Sequence, residues 1–199
     1  MERTKRVLSS RKLTYLNFET RETKFQESTI LTNDPSMTGW GWVIVDFQNN
    51  VIKTGCIKTE KSSKKLRIRV ADDDAKRISE INKILLEVIK HYNVKYILTE
   101  LQHGSQNAIA AKWVGATTAM IVTIADTLNI GMESYSENDS KKCLLGKKSA
   151  TKQETIDAID KLYNVPWLNI AFRDEAVADA LSIHYCASKN SPTLKMMRK

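Results

Sequence analysis

Hydrophobic and polar positions change period several times along this chain, and each change marks an element. The run "STILT" (28–32) leads into Asp34 and Pro35, and an Asp-Pro pair starts turns for conformational reasons. In "WGWVIVDF" (40–47), Trp40, Trp42 and Ile44 alternate with Gly41, Val43 and Val45. Both sets are apolar, which predicts a strand covered on its two faces. "QNN" reads as a hairpin turn and "VIKTGCIKT" (51–59) as the returning strand. After the basic loop "EKSSKKLRIRVADDD", the positions Ile78, Ile81, Ile84, Leu85, Val88 and Ile89 recur at helical spacing. They predict a helix from about Ala75 to His91. "KYILTE" (95–100) is a compact strand ending in Glu100, an Ala-rich helix runs over about 106–128, and "GMESYS" (131–136) fits a fifth strand. Residues 140–163 read as one or two helices, and 172–187 as a last one. Three hairpin-joined strands followed by helix, strand, helix, strand, helix predict an α/β domain. Its mixed five-stranded sheet has three antiparallel strands, then parallel ones, flanked by helices.

Composition narrows the class. Of 199 residues, 42% are apolar, ordinary for a globular chain with one core. The apolar stretch around 119–125 is too short to span a bilayer, and no signal-type run follows the basic N-terminus. A cytoplasmic, membrane-free protein is the expectation. Three separated cysteines, Cys56, Cys143 and Cys186, form no CxxC or Cys/His cluster, so zinc or a disulfide framework is not expected. Residues 1–27 are polar without sustained period and read as a basic extension, flexible or ordered by a partner. The domain proper is placed at 28–188 and a basic tail at 189–199.

Charge adds a partner class. The net charge of +8 is grouped: Lys64, Lys65, Arg67 and Arg69 fall in one loop, and Lys141, Lys142, Lys147, Lys148 and Lys152 in a second segment. Any single cluster suits a solvated face; repetition in one small chain points to a nucleic-acid backbone.

Acids at the C-terminal ends of strands, Asp34 and Glu100, lie at the edge where open α/β sheets bind ligands. In "RDEAVADALSIHY", Glu175 and Asp179 share a helix face. That face lies nearly opposite the stripe Ala176, Val177, Ala180, Leu181 and His184, so a solvated face and a metal-binding face are both open readings. Carboxylates suit Mg²⁺ or Mn²⁺, and phosphodiester hydrolysis by paired ions needs several converging acids. No nucleotide-binding loop, nucleophile elbow or HExxH competes, and no nucleotide cofactor is expected. His184 reads as a packed residue, and Trp113 as a core residue of the Ala-rich helix or an aromatic wedge.

At these residues the chain resembles the RuvC-like Holliday-junction resolvases, particularly the phage-borne branch, of the ribonuclease H-like superfamily. Four stretches in order carry the likeness: "NDPSMTGWGWVIV", "YILTELQHGSQNAIAAKWVGA", "KKCLLGKKSATKQETIDAI" and "DEAVADALSIHY". The resemblance implies a homodimer that binds a four-way DNA junction and makes paired nicks with Mg²⁺, or Mn²⁺ as a substitute. By position it implies metal-binding roles for Asp34, Glu100 and Asp179. Many relatives carry Asp or His three residues before the last of these, where this chain has Ala176. Glu175 is then the fourth candidate and Asp174 the fallback. Asn33 is another departure, in a position usually apolar. DNA contacts are implied for Lys141, Lys142, Lys147, Lys148, Ser149 and Lys152, then for Lys64, Lys65, Arg67 and Arg69. The implied setting is the nucleoid or a phage-infected bacterial cytoplasm. A nuclease for RNA–DNA hybrids or flaps, and a catalytically weakened DNA-binding protein, remain alternatives.

Overall fold

The computed structural model describes residues 25–101, 104 and 106–198. Most of the N-terminal extension and of the turn after Glu100 therefore lies outside the described residues. Five strands, β1 (Thr29–Asp34), β2 (Gly39–Asp46), β3 (Val51–Lys58), β4 (Val94–Leu101) and β5 (Gly131–Ser136), form one sheet in the order β3-β2-β1-β4-β5. β1 and β3 pair antiparallel with β2, while β4 lies parallel to β1 and to β5. This is the expected mixed sheet.

The alternation in β2 divides the core. Trp40, Trp42 and Ile44 pack on one face with Leu31, Ile97 and the helices α1 (Val70–His91) and α2 (Ala108–Leu128). Val43 and Val45 pack on the other with Val177, Ala180 and Leu181 of α5 (Ala171–Asn190). Outside α5 lie α3 (Glu137–Leu145) and α4 (Lys152–Asp160). Gly41 is what lets α5 reach the sheet: a Cβ there would stand 2.2 Å from the carbonyl oxygen of Ala176.

Some elements depart from the sequence reading. α1 begins at Val70, earlier than expected, because Asp72 and Asp73 occupy its first turn, where the helix dipole favours acids. Asp73 also accepts the backbone N–H of Ser62. The segment after β5 is two helices, separated by Gly146 at φ +73°, the left-handed backbone that ends a helix. α4 then opens on a capping box between Thr151 and Glu154. Within the basic tail, α6 (Pro192–Met197) buries Leu194 completely.

α2 corrects the expectation that no apolar run is long enough for a bilayer. Over its 21 residues it is long and apolar enough to cross one, because Ala and Thr extend the run on both sides. Thr117, Ile121, Ile124 and Ala125 are nonetheless buried in the protein, while Ile109 and Leu128 stay exposed. Trp113 is partly buried against the core, with Lys112 over its ring. The three cysteines are free thiols. His184 is fully buried, its Nδ1 2.8 Å from the Tyr163 hydroxyl, and burial holds its pKa down at about 3.

Candidate active site

Parallel pairing of β1 with β4 aligns Asn33 with Thr99, so Asp34 and Glu100 emerge side by side at one edge of the sheet. Side chains two apart share a face. Ile30 and Leu98 pack on Ile183 of α5, and Thr32 Oγ1 donates to the Ala180 carbonyl at 2.6 Å. Asp34 and Glu100 continue this α5-facing phase. Asn33 points the opposite way and is fully buried. Its Nδ2 donates to the Leu98 carbonyl at 2.9 Å, and its Oδ1 accepts from Thr99 Oγ1 at 3.2 Å. The unusual amide thus clamps the two acid-bearing strands immediately below their acids.

Asp179 comes to the same edge from α5. Around it Ala176, Val177, Ala178, Ala180, Leu181, Ser182, Ile183 and His184 are all buried, while Glu175 and Asp179 are partly exposed. Small residues let the sheet approach on one side and α3 and α4 on the other. Asp179 is held between them, half-buried.

The three acids sense one another. Burial raises the Asp34 pKa well above the carboxylate range, and the charges of Glu100, Asp179 and Glu137 raise it further. Burial, then Glu137 and Asp179, push Glu100 up to about 7 from an ordinary 4.5. Burial pushes Asp179 up to about 6, with Glu137 and Glu175 adding and Lys141 and Lys152 opposing. Among the described residues none of the three carboxylates has a hydrogen-bond donor or ion-pair partner. Nor do any three His, Cys, Asp or Glu side chains there meet at metal-coordination distance. The arrangement is a set of crowded, unpartnered hard-oxygen donors, whose mutual repulsion a divalent cation would offset. In that sense the donor set fits such an ion.

The two candidates for a fourth acid lie elsewhere. Glu175 Oε2 is ion-paired with Lys152 Nζ. Asp174 accepts the backbone N–H groups of Leu168 at 2.8 Å and Ile170 at 3.0 Å, which fastens the chain at the start of α5. Glu137, which the sequence reading did not single out, is the first residue of α3, and its charge bears on all three central acids. It is ion-paired with Lys141 one turn along. The available signal was the period-two phase of β5, in which Glu133, Tyr135 and then Glu137 follow one another.

Basic residues surround this edge. Lys141 and Lys152 act on the acids directly. Lys142, Lys148 and Ser149 are exposed on the α3–α4 segment, while Lys147 pairs with Glu154. Lys64, Lys65 and Arg67 are exposed in and after the 3₁₀ turn Lys64–Leu66, and Arg69 pairs with Asp72. Among the described residues, Lys64, Lys65, Arg67, Lys142 and Lys148 have no carboxylate partner.

Comparison with known proteins agrees with this fold. The family model for crossover junction endodeoxyribonuclease RuvC matches residues 30–187. A curated RuvC from Rickettsia bellii is 28% identical over 164 residues, covering 81% of this chain and 98% of that protein. One from Ehrlichia canis is 24% identical over 160 residues, covering 79% and 96%. Among solved structures, Thermus thermophilus RuvC in complex with a Holliday junction substrate superposes with a TM-score of 0.64. It has 20% identity and covers 80% of this chain and 92% of that one. The yeast mitochondrial Holliday junction resolvase gives 0.57 at 16% identity, covering 89% and 86%.

Proposed function

Since this chain belongs to the family of crossover junction endodeoxyribonuclease RuvC, a match that spans residues 30–187, we propose that its sheet edge is the active site of a metal-dependent resolvase. The protein is a structure-selective endonuclease that cuts DNA junctions. The observation that supports the assignment is that Asp34 and Glu100 end neighbouring parallel strands on the face covered by α5, the helix that carries Asp179.

In this reading Asp34, Glu100 and Asp179 hold Mg²⁺, with Mn²⁺ as a substitute, and Glu175 stands at the rim beside Asp179. A bound divalent cation supplies the charge that activates the attacking water and stabilises the leaving 3′ oxygen. The chain's own part is placement. β1 and β4 fix two acids through the Asn33 clamp, and α5 brings the third over Gly41. Lys141 and Lys152 keep positive charge beside the carboxylates, which favours the approach of a phosphodiester to an otherwise anionic edge. The exposed Lys64, Lys65, Arg67, Lys142, Lys148 and Ser149, with Arg69 and Lys147, contact phosphates of the junction arms, positioning DNA without reading its bases.

The working form in this reading is a homodimer. A groove of about 430 Å³ between α1 and α2, lined by Ile78, Leu86, Ala116, Met120 and Leu128 among others, is open and apolar. An exposed apolar face of that kind suits a protein partner, and two active sites on one dimer account for paired nicks. The setting is the bacterial cytoplasm, where the DNA substrate lies.

The test is cleavage of a synthetic four-way junction in Mg²⁺ beside linear duplex, RNA–DNA hybrid and flap. Junction nicking with linear duplex intact is expected, and Asp34→Asn should lose cutting while a gel shift with the junction persists. Equal cutting of linear or hybrid substrates would overturn the junction assignment. Undiminished cutting by Asp34→Asn would overturn the site.

A further inference from the structure

α5 brings a single carboxylate, Asp179, to the centre of the site, and the position one turn earlier is an alanine. Ala176 is only 7% exposed. A Cβ on Gly41 would lie 2.2 Å from the Ala176 carbonyl oxygen and 2.8 Å from its Cβ. Helix and strand are in close contact there, and the alanine at 176 carries no ligating atom. Glu175 is turned to Lys152, and Asp174 is spent on backbone N–H groups.

The opposite wall offers what α5 lacks. Strand β5 runs parallel to β4 with Glu100 level with Tyr135 and Leu101 level with Ser136. Its alternate residues face α5 and its continuation: Glu133 Oε1 accepts from the Tyr96 hydroxyl and from Ser191 Oγ, both at 2.8 Å. Tyr135 packs in the same cluster as Leu98 and Ile183. Two residues further on in this phase stands Glu137, just past the position level with Glu100. The Ser136 hydroxyl caps α3 and fixes where the helix starts. Glu137 therefore leaves the sheet edge on the side that Asp34 and Glu100 face.

We propose that Glu137 is the fourth carboxylate of the metal centre, supplying from α3 the donor that position 176 does not provide. The inference rests on the reading of Asp34, Glu100 and Asp179 as metal ligands. It is supported by the reach of the Glu137 charge to all three of them. The Lys141 ammonium pairs with Glu137, so a positive charge already lies beside this carboxylate.

The experiment is a titration of the metal-free full chain with Mn²⁺, followed by electron paramagnetic resonance and run without DNA. Removing even an outer-shell partner commonly costs a metal site about 10–100-fold in affinity. Glu137→Gln should therefore bind Mn²⁺ at least about tenfold more weakly, and its junction cleavage should require correspondingly more Mg²⁺. Glu137→Asp, which keeps the charge, should bind more tightly than Glu137→Gln. Thermal melts confirm that each variant is folded. If Glu137→Gln binds Mn²⁺ as the wild type does, the inference is overturned even when cutting falls, because Glu137 then acts only by positioning Lys141. Loss of affinity in Glu175→Gln together with normal affinity in Glu137→Gln overturns it equally. Undiminished binding by Asp34→Asn is the distinct result that removes the three-acid reading itself, and this inference with it.

Discussion

Neutralising one of the crowded acids should stabilise the metal-free protein while destroying its activity. Glu100→Gln is the cleanest case, since the amide keeps the shape and removes the charge. Burial first, then Glu137 and Asp179, hold Glu100 at about 7 in the folded chain against an ordinary 4.5. At 1.36 kcal/mol per pKa unit this corresponds to about 3 kcal/mol against the ionised form. Partial exposure of the side chain and the desolvation of the new amide reduce the expected gain to about 2 kcal/mol. For a chain of this size that is about 4–8 °C in Tm. The sign with pH follows from linkage. A carboxylate whose folded pKa is raised binds protons more readily when folded, so wild-type stability falls as pH rises from 4.5 to 7. The advantage of Glu100→Gln is therefore full above about pH 7 and disappears below about 4.5. Comparing variant with wild type at each pH cancels the buried His184, whose lowered pKa destabilises both proteins on acidification. The assay is thermal unfolding at low salt with chelator, at pH 8 and pH 4. Added Mg²⁺ should reverse the ranking at pH 8, because a ligand bound only by the folded state stabilises the form that binds it better. Equal or lower Tm for Glu100→Gln at pH 8, or a gain that persists at pH 4, would refute the reasoning.

Two further outcomes test how the site is carried and how it meets DNA. Gly41→Ala places a methyl group 2.2 Å from the Ala176 carbonyl oxygen; overpacking of this kind costs about 1–3 kcal/mol. It should lower Tm and displace α5, reducing cleavage more than junction binding, as read by melts and by paired cleavage and gel-shift assays. The double variant Lys142→Gln with Lys148→Gln removes two exposed cations that lack carboxylate partners among the described residues. Each lost phosphate contact should flatten the slope of log K against log salt by about 0.9, which a salt series of binding isotherms measures.

The strand ends were readable because an acid interrupts an apolar period. Asp34 closes β1 before Pro35, and Glu100 falls at the end of a compact run, so the sheet edge follows from pattern and element order. Two-sided burial of β2 was equally plain, since both of its alternating sets are apolar. Helix α5 was less readable: its alanines look like a stripe with an opposite polar face, yet small residues let neighbours close in on two sides. Burial of Asp179 is thus a property of tertiary packing, invisible to helical periodicity. Glu137 escaped notice because an acid following a capping Ser is what any helix start prefers. Only strand pairing, which aligns Tyr135 with Glu100, gives it a second meaning. Helical spacing favoured Glu175 over Asp174, but the partners the two acids have, Lys152 for Glu175 and the backbone N–H groups of Leu168 and Ile170 for Asp174, follow from chain packing that spacing does not show.

The contacts that assemble the site are all distant in sequence. The Asn33 clamp joins residues 65 and 66 apart, and the bond from Thr32 to the Ala180 carbonyl spans 148. Closing loops of that length has an entropic cost before any contact is gained, so such pairings belong to the late, cooperative part of folding. No fragment of this chain holds the three acids in one place, and neither does a chain emerging unfinished from synthesis. The site therefore assembles only once β1, β4 and α5 have packed together. The topology itself acts as a safeguard against stray cleavage.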